Sequence, residues 1–313
     1  LLGASMVRGI TSLLIGIALD EGKIRSLDDP ARQYVPEIAD SAYGAISLRH
    51  LLRMSSGMAY TENYSGQDDN ARTLTMLESK GAVATINMYR GKPSHIPGSR
   101  FNYAGIESIV LSQVVASATG QSVCQYMQDK LWSRIGAEDT ATWQLDGAGQ
   151  AMGQMGFAAT ARDWIRLGLM IANDGLAGDQ QVVSKAYLDE ATRMSAQPEH
   201  FHKGQGVNRL YGYGYQFWRS RNGAFRGDGA FGQYILMMPE QDAVLIITSE
   251  SQDLPDDLNQ VWKNLLPAFK AKALPANPAG LKALAAFNAS RQIKAPVSTL
   301  QAALPTKSYL LGT

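Results

Sequence analysis

The stretch Gly3-Ala4-Ser5-Met6-Val7-Arg8-Gly9-Ile10 runs on into Leu13, Leu14, Ile17 and Ala18, an apolar series at helical spacing. It predicts a buried helix that opens at Ser5, with Arg8 one turn further along the same face. A serine at a helix start has neighbouring backbone N–H groups without intrahelical partners and the positive end of the macrodipole beneath it. That setting favours an alkoxide and an anionic intermediate. The plainer reading of Ser5 is an N-cap, a position serine prefers, and the rest of the chain has to decide between the two.

Hydrophobic side chains make up 45% of the 313 residues and the formal charge is +1, which suits one large core or two lobes and supplies no basic block for nucleic acid. No apolar run reaches the roughly 18 residues of a membrane span. The single cysteine, Cys124, rules out an internal disulfide and a cysteine-based zinc site, and it falls on the apolar pattern of a helix as a small core residue. The chain opens four residues before Ser5 without Met, so a signal peptide or leading strands are expected to precede it, and export to the periplasm is expected over a cytoplasmic location.

Helix signals dominate the first half. Gly22 follows the first helix, Ser47 caps a short helix through Leu52, and Pro97-Gly98 turns the chain before Phe101 and Tyr103. One helix ends at Thr119-Gly120, Ser122 caps another through Trp132, and Thr160 with Asp163 forms a capping-box variant that opens a helix through Ala172. The period then changes to two. Tyr211, Tyr213, Tyr215 and Phe217 alternate as a strand, Asn222-Gly223 marks a hairpin, and Gln233–Met238 and Ala243–Thr248 read as further strands. A helix from Asp256 to Lys272, capped by Asp256, can cover that sheet. The class is therefore α+β, an antiparallel sheet flanked by helices plus a mostly helical lobe, with a site between them. Residues 1–273 form the main domain. Residues 274–313 read as a Pro/Ala-rich linker with a helix at Gly280–Arg291, and Lys307–Leu311 as the first strand of a C-terminal β domain.

Several segments in this order resemble the serine β-lactamase and penicillin-binding protein superfamily, in its class C-like branch of esterases and 6-aminohexanoate-oligomer hydrolases. They are Gly3–Arg8 through Gly16–Lys23, Leu27-Asp28-Asp29-Pro30, Leu48–Gly57, Pro97–Tyr103, Thr160–Asp163 and Gly229–Gln233, spanning about residues 1 to 270. The resemblance implies a β-lactamase/transpeptidase-like fold and acyl transfer to an amide or ester carbonyl. It implies Ser5 as nucleophile, Tyr103 as proton relay, Arg8 at the position of the motif lysine and Gly105 at that of the second-motif asparagine. Gly227-Asp228-Gly229 stands for the third motif, a basic residue, a hydroxyl residue and glycine on an edge strand. The oxyanion would be held by the N–H groups of Ser5 and Ala230, and Gly105, Asp228, Gly229 and Phe231 would border the substrate. It implies a small-molecule substrate and neither metal nor organic cofactor.

The departures carry the tension. A desolvated lysine can act as a base, whereas arginine stays protonated and serves only as a fixed cation. No lysine lies three residues after a serine or threonine, so the motif has no displaced copy. A fixed cation beside Tyr103 would favour the phenolate as a substitute base. With Gly227 at the basic position, Arg226 is the candidate to grip a substrate carboxylate. A second reading is a member that kept the pocket and lost turnover, binding or slowly acylating a ligand. Gly227-x-Gly229-x-x-Gly232 has the spacing of a dinucleotide fingerprint, but it leads into a strand rather than a helix. Val7 stands where a nucleophile elbow needs glycine. His200-x-His202 reads as an exposed pair rather than a metal site, Tyr211, Tyr213 and Tyr215 as one strand face rather than a ligand cage, and Arg162 and Asp163 as an ion pair and a cap.

Overall fold

A computed structural model describes residues 2–194, 211–291 and 308–311, so His200 and His202 lie outside the described residues. The chain divides into two units, Leu1–Asp257 with Lys307–Thr313, and Leu258–Thr306.

The first unit is built around two helices buried on all sides. A 3₁₀ turn at Ala4–Met6 leads into α1 (Val7–Asp20), where every residue from Val7 to Ala18 is buried. The apolar spacing predicts a buried helix, and the helix runs through the core, where its polar residues find internal partners. Thr11 Oγ1 donates to the Gly153 carbonyl at 2.7 Å, and the Tyr187 hydroxyl donates to the Ser12 carbonyl at 2.8 Å. After α2 (Leu48–Leu52), α3 (Asp69–Lys80) and α4 (Ala82–Ile86), the second central helix, α5 (Gly105–Thr119), is buried from Gly105 to Val115 and packs on α1. Gly120 ends it in the left-handed conformation, as expected. α6 (Val123–Met127) continues as a π-type turn through Trp132.

The cap assignments at Ser47, Ser122 and Thr160 hold: each side chain accepts the N–H three residues on. Two short strand pairs stand among the helices of the middle section. β1 (Ala141–Gln144) pairs antiparallel with β2 (Phe157–Ala158) before α7 (Ala161–Ala172), and β3 (Leu176–Ala177) with β4 (Gln180–Gln181) precede α8 (Lys185–Thr192).

The main sheet has the order β5 (Trp218–Arg219), β6 (Phe225–Gly229), β7 (Gln233–Met238), β8 (Ala243–Ile247), all antiparallel, with α7 packed against β7 and β8. Asn222 and Gly223, both at positive φ, make the expected hairpin between β5 and β6. The alternating tyrosines do not make a strand. Tyr213 bridges back to Trp218, and the chain turns at Gln216, where φ is 66°. The turn is held because the buried Gln216 amide accepts from Ser108 Oγ at 2.7 Å and donates to the Leu52 carbonyl at 3.0 Å. Side-chain hydrogen bonds override the period-two pattern.

α9 (Leu254–Gln260) begins two residues earlier than expected. The cap is Asp253, whose carboxylate accepts the Asp256 N–H at 3.1 Å, so Asp256 lies inside the first turn. In the second unit the chain continues through a π-type turn at Val261–Leu265 and a 3₁₀ turn at Leu266–Ala268, where helical structure stops short of Lys272. α10 (Pro278–Ser290) is capped by Asn277 with Pro278 at its first position. The last strand, β9 (Ser308–Leu311), pairs antiparallel with β1 in the first unit rather than opening a separate sheet.

Asp163 joins these layers. Its buried carboxylate accepts from the backbone N–H of Glu138 at 2.8 Å and of Asp139 at 3.2 Å, from Thr160 Oγ1 at 2.9 Å and from Arg166 at 3.1 Å. Among the described residues Arg162 pairs only with exposed Glu138. Asp163→Ala removes every acceptor at that point and is expected to destabilise the fold by about 3 kcal/mol in a urea titration, whereas Arg162→Ala changes it by less than about 1 kcal/mol.

Candidate active site

The turn that carries Ser5 is strained and closely packed. Ala4 sits at φ 46°, a left-handed value costly for a residue with a side chain. Helical bonding starts with the Met6 N–H to the Gly3 carbonyl at 3.0 Å, so the Ser5 N–H lies ahead of it and stays available. The end of β6 lies against this turn. Among the described residues β5 pairs only with Phe225 and Arg226, so Gly227–Gly229 run past its end. A Cβ on Gly229 would stand 2.5 Å from the Gly3 carbonyl oxygen, so only glycine lets strand and nucleophile turn approach this closely. Ala230 follows at the strand's end, beside Ser5. Phe231, at φ 65°, then reverses the chain, its carbonyl fixed by the Ser249 hydroxyl at 2.8 Å and the Ser251 N–H at 3.0 Å.

Ser5, Tyr103, Asp228, Gly229, Ala230 and Phe231 border one cavity of about 280 Å³, completed by Tyr64, Ser251 and Gln252. A larger cleft of about 730 Å³ beside α7 and β8 is lined by no hydroxyl, thiol or imidazole among the described residues.

Arg8 and Gly105 lie outside that lining. Arg8 is 2% exposed, with its guanidinium carbon 4.1 Å from the centre of the Tyr103 ring. Nη2 donates to Glu62 Oε1 at 2.6 Å, and the other Glu62 oxygen accepts the Gly105 N–H, at the start of α5, also at 2.6 Å. Burial by itself would lower the Arg8 pKa; the Glu62 carboxylate and the surrounding tyrosines outweigh it and raise the value, so Arg8 is a permanent cation. Its charge is matched by Glu62 and spread over the ring face instead of standing free beside the Tyr103 hydroxyl.

This pair also accounts for the second departure from the motif. A Cβ on Gly105 would lie 3.3 Å from both Arg8 Nη2 and Glu62 Oε2 and 3.4 Å from Asn70 Oδ1. An asparagine side chain at this position would crowd the ion pair, which links the glycine at 105 to the arginine at 8. Glu62 is the residue that sequence reasoning missed. It sits in a loop pinned by the α3 cap: Asp68 accepts the N–H groups of Asn63 and Tyr64, each at 2.7 Å. A buried arginine implies a carboxylate partner, but nothing local singles out Glu62 among the 28 acidic residues.

Behind Tyr103 stand Phe101, Tyr213 and Trp218, with ring centres of Tyr103 and Trp218 5.3 Å apart. Tyr213 and Tyr215 are therefore core rings and do not line the cavity. Arg226 is likewise not free to grip a substrate carboxylate: it is 1% exposed and binds Asp228 Oδ2 through Nε at 3.1 Å and Nη2 at 2.9 Å.

Residues 3–268 match the beta-lactamase family model. The chain belongs to the beta-lactamase family. It is 26% identical over 275 residues to the 6-aminohexanoate-dimer hydrolase of Paenarthrobacter ureafaciens, covering 83% of this chain and 68% of the relative. Among solved structures it superposes on a penicillin-binding protein from Bacillus halodurans with a TM-score of 0.62 at 17% identity, covering 84% of this chain and 86% of that one. A family VIII carboxylesterase gives 0.60 at 15% identity over 91% and 82%. These likenesses show the β-lactamase/transpeptidase-like fold, and the family makes this chain a β-lactamase-like hydrolase of the serine, amide- and ester-cleaving kind. Among the described residues no helix is long and apolar enough to cross a membrane, and no three potential metal ligands come together.

One further ionisable group lies close by. Glu107, in the first turn of α5, is 1% exposed, accepts from Ser56 Oγ at 2.6 Å, and is pushed by burial up to about 8. Its folded pKa lies above its unfolded value, so its contribution is favourable at low pH and is lost as pH rises towards 8. Glu107→Gln is expected to flatten the decline in stability between about pH 4.5 and 8, read as the midpoint of thermal unfolding across that range. At the ion pair, Glu62→Gln is expected to cost about 3 kcal/mol in denaturant unfolding. In a double-mutant cycle, Gly105→Asn and Arg8→Lys are expected to couple by about 1 kcal/mol or more.

Proposed function

We propose that this protein cleaves an amide or ester bond through an acyl-enzyme on Ser5. The observation that carries the reading is that Ser5, Tyr103 and the Gly229-Ala230 strand end, distant in sequence, border one cavity at the strained start of α1. Ser5 Oγ forms a bond to the carbonyl carbon and the bond to the leaving nitrogen or oxygen breaks. The Tyr103 hydroxyl takes the Ser5 proton while passing its own to the leaving group. The N–H groups of Ser5 and Ala230 hold the oxyanion. Water then enters by the reverse relay and releases the acid. The relative named as a 6-aminohexanoate-dimer hydrolase supports a linear amide or ester as substrate.

In this reading Arg8 does not act as a base; it holds Tyr103 from below while Glu62 neutralises it. Losing a general base typically lowers a rate by about 10² to 10⁴, so slow turnover is expected, fastest on esters with good leaving groups. The locked Arg8–Glu62 pair also favours the second reading, a ligand-binding member that acylates slowly or not at all.

Intact-mass spectrometry after exposure to a fluorophosphonate, and separately to a penicillin, separates them. A single fluorophosphonate adduct absent from Ser5→Ala is the expected result. No adduct on folded protein would move the assignment to the silent binder. Arg8→Lys is expected to leave turnover unchanged or lower it, because the introduced lysine would face Glu62 and stay protonated. A rise of about tenfold or more would identify Arg8 as a degraded lysine position.

A further inference from the structure

We infer that the Ser5 cavity selects substrates carrying an ammonium group, or another cation of that size, near the scissile carbonyl, and rejects carboxylates; this rests on Ser5 being the nucleophile. Asp228 is the one charged residue in the cavity lining among the described residues. On β6 the two-residue period places Arg226 and Asp228 on one face and Gly227 and Gly229 on the other. Arg226 draws back from the cavity: besides Asp228 Oδ2 it binds the Arg219 carbonyl at 3.0 Å and Ser220 Oγ at 2.7 Å, and it is absent from the lining. Asp228 Oδ1 accepts no hydrogen bond from any described residue, so the pair turns its negative end to the substrate.

The other walls agree. Tyr64 and Phe231, 62% and 54% exposed, stand at the mouth with Tyr103, and Ser251 and Gln252 add neutral polar groups. Aromatic rings around a carboxylate form a setting that attracts alkylammonium groups, through the ring quadrupoles as well as the charge. A carboxylate placed there would meet the like charge of Asp228 and, among the described residues of the lining, no cation. The matching substrate is an aminoacyl or aminoalkyl ester or amide.

Three p-nitrophenyl esters of equal length, ending in methyl, ammonium or carboxylate, test this, beside calorimetric binding of the three corresponding amides. Fluorophosphonate labelling of Ser5 is run in parallel. The expected result is a kcat/KM ratio of ammonium to carboxylate ester of about tenfold or more, falling towards one in Asp228→Asn. Reading the ratio within each protein cancels any general loss in the variant. If that variant does not fold, the wild-type ratio decides. Equal rates, or a preference for the carboxylate, in protein that labels at Ser5 would overturn the charge selection and leave the hydrolase reading intact. Absence of labelling would remove the hydrolase reading; the amides then decide, tighter binding of the ammonium form upholding the selection and equal or weaker binding overturning it.

Discussion

The ion pair between Arg8 and Glu62 is the constraint around which the site is arranged. It lies at the point where α1 and α5 begin, with both side chains almost wholly removed from water. A guanidinium in that place needs a carboxylate, and the carboxylate needs donors for both oxygens. Arg8 supplies one and the first N–H of α5 another, at the positive end of a helix dipole. The loop that delivers Glu62 must then be held, which Asp68 does from the start of α3. A side chain at position 105 would crowd the pair, and the ring of Tyr103 covers the cation. Three segments remote in sequence are tied by one charge.

Backbone strain gathers at the same place. Ala4, next to the nucleophile, and Tyr64 and Phe231, in the cavity wall, all adopt positive φ without being glycine. Each is held by its surroundings: Ala4 by the turn pressed against β6, Tyr64 by the Asp68 carboxylate on its N–H, Phe231 by the donors on its carbonyl. Such conformations cost about 1 to 3 kcal/mol apiece and persist where packing over-determines them. The two central helices supply that packing, because neither has a solvent face along which it could relax.

Local chemistry was legible in the sequence. The caps at Ser47, Ser122 and Thr160, the Asn222-Gly223 hairpin and the strands at Gln233–Met238 and Ala243–Ile247 follow from interactions within a few residues. The alternation of Tyr211 to Phe217 misled, since the turn there is made by the amide of Gln216 reaching Ser108 and Leu52. Asp256 misled in a smaller way: three acidic residues stand close together, and the backbone chose Asp253 as the cap.

The amino-acid sequence by itself determined the family and the α+β class, because motif order and hydrophobic period are local properties of the chain. Only the tertiary structure decided what Arg8 does there. Its partner Glu62 is 54 residues away, its fit to Gly105 depends on how closely α1 meets α5, and the polarity of the cavity depends on which way Arg226 turns from Asp228. Those are questions of which buried charges face one another, and the energy of a buried charge is set by its neighbours in space, not by those along the chain.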